Sequence, residues 1–485
     1  MTSLDIQART TSPLRKGLVN LPGATPHAAA LTQKLLQQDF VKHHCFFNEQ
    51  GFHNHLPHHL LSVLDLGGSA HLLQSIYDAE AAAQRPATLG KPGDEVPKIT
   101  NENWTAHLGK EIAYAGYLKY FSDQIAEHGA EATVERFVFS PEANGNGSIM
   151  LARLGSAVFH PWIQLALGLE FKQDFLVAAG LSLTVMAEPV FPDLLADTPS
   201  GLPSVIYTNK KSPTLPELFE EVYASDALEP GPYDPEVIFG HHAQKFKSHS
   251  EALSTVLEVA KRWTFPPAND PAAFAAALEQ KRKEAIVEAT LFLSATGLRH
   301  DARGAPPRVD FFLMHLLTSS MFMQTLFDVA RKPEYQARLL QVYIRSTIMT
   351  VLARGRPKPD VDALYKHPVA LADEARDAIG TPATGDAHEV RGHPARPLNA
   401  WSFIIDSACH HSESHVAKAA RALLYAAKLY ETEEDLGVVP GVDGTVFLRA
   451  ATVLTDGLGW VSKGEKELWW DLSAVGWEEA WAPRD

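Results

Sequence analysis

Apolar residues recur at helical spacing along most of the chain. Between 104 and 126, Trp104, Leu108, Ile112, Leu118, Phe121 and Ile125 fall at steps that fit one helix face. Asp270-Pro271 reads as a cap followed by proline at the first helical position, opening a long Ala/Glu/Lys-rich helix to about Thr296. The stretch VDFFLMHLLTSSMFMQTLFDVARK (309–332) predicts an apolar helix with Asp310 as N-cap. Residues 335–353 and 400–430 follow the same period. HLPHHLLSVLDLG (55–67) predicts a helix that ends at Gly67-Gly68, with Pro57 in its first turn and Asn54 as cap. Strict alternation is scarce: RFVFS (136–140) and SVIYT (204–208) are the best strand candidates, and both are short. Residues 84–102, 187–242 and 354–399 read as loops, and no repeat of fixed period occurs. The pattern predicts a mostly α protein: one large helical domain over 1–485, with a less ordered N-terminus (about 1–25) and a Trp-rich C-terminal tail (about 446–485).

Composition narrows the class. With 485 residues, 45% of them hydrophobic and 21% charged, the chain can bury a large core. A net charge of −15 argues against non-specific nucleic-acid binding and against an anionic membrane surface. The two cysteines, Cys45 and Cys409, form no disulfide framework, which fits a reducing compartment. The opening residues MTSLDIQARTTSPLRKG lack the apolar stretch of a secretory signal, and no apolar run reaches membrane-spanning length. A cytoplasmic protein is expected, and its oligomeric state stays open. Five of the nine tryptophans, Trp460, Trp469, Trp470, Trp477 and Trp481, fall in the last 26 residues. They read as core or interface packing, or as an aromatic lid over a flat ligand.

Histidines carry the candidate chemistry. His53, His55, His58 and His59 fall within seven residues of FNEQGFHNHLPHHLLSVLDLG (47–67), with His43 and His44 just upstream. His160 opens an apolar helix just before Pro161. His315 lies inside another, with Thr318 three residues on and so on the same face. His415 lies in a third, with Lys418 at i+3 and Arg421 beyond. A single histidine in an apolar helix is usually a hydrogen-bonded core residue. Burying four of them on four helices without a shared partner would be costly, which points to convergence on one centre. The HExxH, CxxC and EF-hand patterns are missing. A His-rich site without thiolates suits iron, copper or zinc. No P-loop occurs, and no GxGxxG follows a strand, so a flavin or nicotinamide Rossmann domain has no support and no flavin is expected. Read alone, Lys418 is a solvated helix lysine, and Thr318 packs with its hydroxyl bonded back to its own helix.

At these stretches the sequence resembles the questin oxidase-like family of fungal polyketide pathways. The resemblance is carried by HHCFFNEQGFHNHLPHHLL (43–61), FHPWIQLALGLEF (159–171), DFFLMHLLTSS (310–320) and HVAKAARALL (415–424). It implies an oxygenase that cleaves a ring of an anthraquinone-type aromatic polyketide in secondary-metabolite or mycotoxin biosynthesis. The outcome would be Baeyer–Villiger oxidation or dioxygenase cleavage, in some members with NADPH. It also implies a non-haem Fe(2+) and O2 as cosubstrate, the metal being held by four histidines and a carboxylated lysine. Carried over residue by residue, His55, His160, His315, His415 and Lys418 are the metal ligands, with His58 an alternative to His55. Thr318 and His58 take catalytic roles, bonding to a metal-bound or substrate oxygen, and His59 stands beside them. The implied fold is a single helical domain with a buried metal and substrate cavity. Two other readings stand beside this one. RHDARG (299–304) holds a His-Asp pair of the kind HD-type phosphohydrolases use. A non-catalytic helical binding protein would hold its histidines structurally.

Overall fold

Helices carry the chain from end to end. The computed structural model describes residues 8, 12–89, 95–236, 250–299, 306–369 and 399–482. The helices used below are α1 (Pro26–Lys42), α2 (Leu56–Asp65), α3 (Ala70–Ala81), α4 (Tyr114–His128), α5 (His160–Glu170), α6 (Asp174–Met186), α7 (Leu215–Ala224), α8 (Ser250–Lys261), α9 (Pro271–Ser294), α10 (Met314–Ser320), α11 (Pro333–Ala353), α12 (Ala400–His410), α13 (Ser414–Tyr430) and α14 (Val446–Leu458). Among the described residues β-pairing is confined to isolated bridges, such as Asp310 with Asp471. Buried apolar side chains from Val19 to Trp470 form one contiguous core, so this is a single helical domain. None of the described helices is long and apolar enough to cross a membrane.

Local chemistry explains the elements that the periodicity predicted. Asp270 accepts from the Ala273 N–H and Pro271 opens α9, which runs to Ser294 as its composition requires. Helices α5 and α6 pack with their backbones nearly in contact. A Cβ at Gly180 would lie 2.4 Å from Leu165 Cα, and one at Gly168 would lie 2.5 Å from Val177 N. Only glycine permits that approach, and it fixes the helix that begins with His160.

Several expectations are corrected. RFVFS is a π-helical turn over Glu135–Phe139 that buries Phe137, Val138 and Phe139, so burial overrides the β-propensity of its residues. In SVIYT only Tyr207 pairs, with Phe265. The segment 104–126 is two short 3-10 turns followed by α4. Gly109, at φ +73°, gives its N–H to the Val185 carbonyl instead of continuing a helix. The segment 309–332 becomes helical only at Met314, because residues 309–311 are laid beside Asp471. Asp310 accepts from the Phe312 and Leu313 N–H groups in the turn before α10. Residues 400–430 split into α12 and α13 at His411–Glu413. The loop expected over 187–242 contains α7, opened by a reciprocal Thr214/Glu217 capping box; TLPE carried that signal in the sequence. The loop expected over 354–399 contains a short helix, Val361–Lys366.

Both ends of the described chain contact the core. The Leu18 N–H donates to Glu170, and the Val19 and Asn20 N–H groups donate to Asp65. Helix α14 is buried, and the segment after it returns past Val309–Phe311. Of the clustered tryptophans, Trp460 and Trp470 are buried while Trp469 is 75% exposed.

Candidate metal centre

Four histidines reach one point from the first turns of four helices. His55 stands immediately before α2, where Asn54 accepts from the Leu56 N–H and Pro57 fills the first turn. His160 opens α5 after Ala157, Val158 and Phe159, three consecutive non-glycine residues with φ of 48°, 52° and 63°. Each such left-handed residue costs on the order of 1 kcal/mol or more. The turn sets the Ala157 carbonyl 2.6 Å from His160 Nδ1. His315 lies in the first turn of α10, with Nδ1 2.9 Å from the Phe311 carbonyl. His415 lies in the first turn of α13, with Nδ1 2.6 Å from Glu413 Oε1.

Those partners fix the tautomers. Carbonyl and carboxylate oxygens only accept, so Nδ1 of His160, His315 and His415 carries the proton and Nε2 presents its lone pair. One ligating atom from each of His55, His160, His315 and His415 lies within 4.8 Å of all the others. His55 Nε2 and His160 Nε2 are 2.8 Å apart. Metal–nitrogen bonds of about 2.1 Å put two nitrogens on one ion roughly 3–4.2 Å apart, so small adjustments accommodate an ion. Nε2 of His315 and of His415 is buried without a hydrogen-bond partner. Buried lone pairs left open in this way, with the opposite nitrogen already hydrogen-bonded, are what a metal-ligating imidazole requires. The donor set fits a divalent transition metal.

The electrostatics agree with neutral ligands. Burial pushes His55, His160 and His315 far below the ordinary imidazole value, and neighbouring charges on Lys418 and the other histidines push the same way. His415 is also lowered by burial, opposed by Glu413. Burial alone would raise the Glu413 carboxyl; the charge and hydrogen bond of His415, with the Trp470 indole N–H, bring it down to about 2. Lys418 is 3% exposed, its Nζ has no partner, and burial lowers its amine to about 7. A solvated helix lysine is therefore excluded.

The other expected residues lie close by. The His58 ring is 5.5 Å from that of His55; its Nε2 bonds Gln164 Oε1 at 2.9 Å, and its Nδ1 has no partner. His59 Nδ1 lies 2.5 Å from Glu80 Oε1. Thr318 is fully buried, and its hydroxyl donates back to the His315 carbonyl at 3.4 Å, beside Met314 Sδ. Sequence reasoning named His53 in the cluster without giving it a role, though its ring stacks on His160 at 4.0 Å, read Trp470 only as packing or a lid, and missed Gln164, Glu413 and Phe311. Glu413, two residues before His415 and capping α13, was the most accessible of these. The His300-Asp301 pair of the HD reading lies outside the described residues.

Beneath the centre, Arg421 on α13 joins Asp65, the last residue of α2, and Glu170, the last residue of α5. Its Nε donates to Asp65 Oδ2 at 2.8 Å and its Nη2 donates to Glu170 Oε1. All three side chains are buried. Burial raises Glu170 to about 7 against the pull of Arg421. Three of the four histidine-bearing helices are thus tied by one buried ion cluster.

A family model described as Questin oxidase-like matches residues 52–423, a region that holds all four histidines and Lys418. A questin oxidase of Aspergillus terreus is 24% identical over 492 residues, covering 97% of this chain and 96% of the relative. A Baeyer–Villiger monooxygenase of Cryptosporiopsis sp. is 26% identical over 346 residues, covering 67% of this chain and 72% of the relative. A Baeyer–Villiger oxidase of Paecilomyces divaricatus is 24% identical over 487 residues, covering 98% and 94%.

Proposed function

The chain belongs to the questin oxidase-like family, and from that premise we propose that it oxidatively cleaves a ring of an anthraquinone-type aromatic polyketide, using iron held by His55, His160, His315, His415 and Lys418. That it is an oxidoreductase follows from its relatives, which are named oxidases and Baeyer–Villiger monooxygenases. The observation that carries the metal reading is the convergence of four imidazoles within 4.8 Å, three with Nδ1 already bonded to an oxygen. Ferrous iron bound there would supply the activation of molecular oxygen that ring cleavage needs.

The protein's own residues do the rest. The Ala157 and Phe311 carbonyls and the Glu413 carboxylate hold three rings in the ligating tautomer. Lys418, with its amine lowered to about 7 by burial, is about half unprotonated in neutral water, and that neutral form is open to carbon dioxide. Addition of carbon dioxide to the neutral amine forms the N–C bond of a carbamate and releases one proton, placing an anionic oxygen donor beside the centre. His58, through its unpartnered Nδ1, bonds a substrate oxygen; the Thr318 hydroxyl does so by turning from its own helix. Protein purified without chelator in reducing buffer should carry about one iron per chain and consume oxygen with a hydroxyanthraquinone, with and without NADPH. A flavin spectrum, or divalent metal with phosphate release, would overturn the proposal. So would the absence of bound metal, which a non-catalytic binding protein requires.

A further inference from the structure

Two metal-site histidines on two different helices have their rings oriented through one short segment near the C-terminus. Trp470 is 6% exposed, and its indole N–H donates to Glu413 Oε2. The other oxygen of that carboxylate holds His415 Nδ1 at 2.6 Å. The next residue, Asp471, accepts the Phe311 N–H at 3.0 Å through its carbonyl and gives its own N–H to Val309 at 2.7 Å. The Phe311 carbonyl in turn holds His315 Nδ1 at 2.9 Å. Arg308 fastens the segment by its Nε on Asp471 Oδ2 at 2.6 Å, and the Leu468 N–H donates to the Leu458 carbonyl at the end of α14.

We propose that Trp470 and Asp471 are positioning residues of the metal centre, setting the His415 ring through Glu413 and the His315 ring through Phe311. The proposal rests on the reading that the four histidines bind a metal. Its logic is geometric. A carboxylate that accepts from one imidazole alone can swing about its own side-chain bonds and take the ring with it. Glu413 Oε2 already accepts from the His415 backbone N–H at 3.2 Å within the same helix end, and the buried indole adds a donor on that oxygen from a distant part of the chain, which ties the carboxylate to the body of the protein. The bridge between Asp471 and residues 309–311 does the same for a backbone carbonyl, which otherwise sits in an irregular turn ahead of α10. Outer partners of this kind govern ligand orientation and basicity, and losing one typically weakens metal binding about 10- to 100-fold. The Trp470 ring also lies against those of Phe311 and His415, with centroids 6.3 and 6.5 Å away, whereas the neighbouring Trp469 is 75% exposed.

The test uses the full chain, stripped of metal and titrated with cobalt(II) as a spectroscopic probe. Trp470→Phe keeps an aromatic ring at this buried position and deletes the donor together with part of the indole. It should bind cobalt(II) about 10- to 100-fold more weakly than wild type, with a changed visible d–d spectrum, while the metal-free protein stays folded. Glu413→Gln, which removes the charge and leaves one acceptor oxygen for the three donors that now share two, should shift the same spectrum. Trp469→Phe should match wild type in both readouts. Wild-type affinity and an unchanged spectrum in Trp470→Phe and Glu413→Gln would overturn the positioning role and leave the four-histidine site standing. Failure of the wild-type chain to bind cobalt(II) at one equivalent would overturn both.

Discussion

Replacing Arg421 with Met should cost more stability than any single surface change, and its cost should depend on pH. The guanidinium is 1% exposed and lies 2.8 Å from Asp65 while also touching Glu170, both carboxylates being buried as well. At an effective dielectric near 20, two opposite charges about 4 Å apart attract by roughly 4 kcal/mol, most of which offsets their desolvation. Removing one partner forfeits the attraction and leaves the desolvation. Measured losses for such buried pairs are about 3–5 kcal/mol. Here one cation serves two carboxylates, so the loss belongs at the upper end of that range near pH 8. Native domains hold only about 5–15 kcal/mol in all. Acid should relieve the loss. The orphaned Glu170 carboxyl would have a folded-state value raised further above its ordinary one, as burial already raises it from 4.5 to about 7 in the intact cluster. A raised value means the folded state binds more protons than the unfolded state, so stability falls as pH rises through that window. The gap between variant and wild type should therefore be largest at pH 8 and narrow toward pH 5. Urea unfolding followed by far-UV circular dichroism at the two values measures it; the site histidines are common to both proteins and cancel in the difference. Adding Asp65→Asn and Glu170→Gln to the variant should recover much of the loss. A cost below about 1 kcal/mol at pH 8, or one independent of pH, would refute the reasoning.

Three further outcomes follow from the site. His160→Ala or His315→Ala should abolish activity and most bound metal while leaving the helical signal largely intact, measured by metal analysis and circular dichroism; full activity in either would refute the ligand assignment. Lys418→Ala should lose activity that added small carboxylates partly restore, and Lys418→Arg should fail although it keeps a cation, because a guanidinium neither takes up carbon dioxide nor ligates; unchanged turnover in Lys418→Arg counts against the carbamate. Thr318→Val, nearly isosteric, should keep the metal and lower kcat if the hydroxyl bonds substrate or oxygen, and should leave kcat untouched if it only bonds back to the His315 carbonyl 3.4 Å away.

What the sequence revealed and concealed follows from the range of the interactions involved. The convergence of the four histidines was legible because a histidine on an apolar helix is an anomaly on its own: its burial is implied by its neighbours, and burial without a partner is costly. His160 before Pro161, and His315 among FFLMHLL, announce themselves locally. Helix positions were legible for the same reason, as α9 with its Asp270 cap illustrates. The breaks were not. Nothing in VDFFLMHLLTSS indicates that residues 309–311 are held out of the helix by Asp471, a pairing 160 residues away in the chain. The same holds for Arg421, whose partners Asp65 and Glu170 come from the ends of two other ligand-bearing helices. A charged residue at i+6 from His415 reads as surface until three helices are seen to meet. The reading of Lys418 alone as a solvated lysine fails for the same reason, and only the family resemblance pointed to a ligand there. Exposure is the default for lysine, and only the tertiary structure shows an amine without a partner, brought to about 7 by burial. The centre thus combines a first layer of residues that look unusual where they stand with a surrounding layer, Glu413, Trp470, Arg421 and Gln164, that looks ordinary in sequence. Each member of that layer is distinguished only by contacts to residues distant in the chain, as Arg421 is by Asp65 and Glu170 and Glu413 by Trp470.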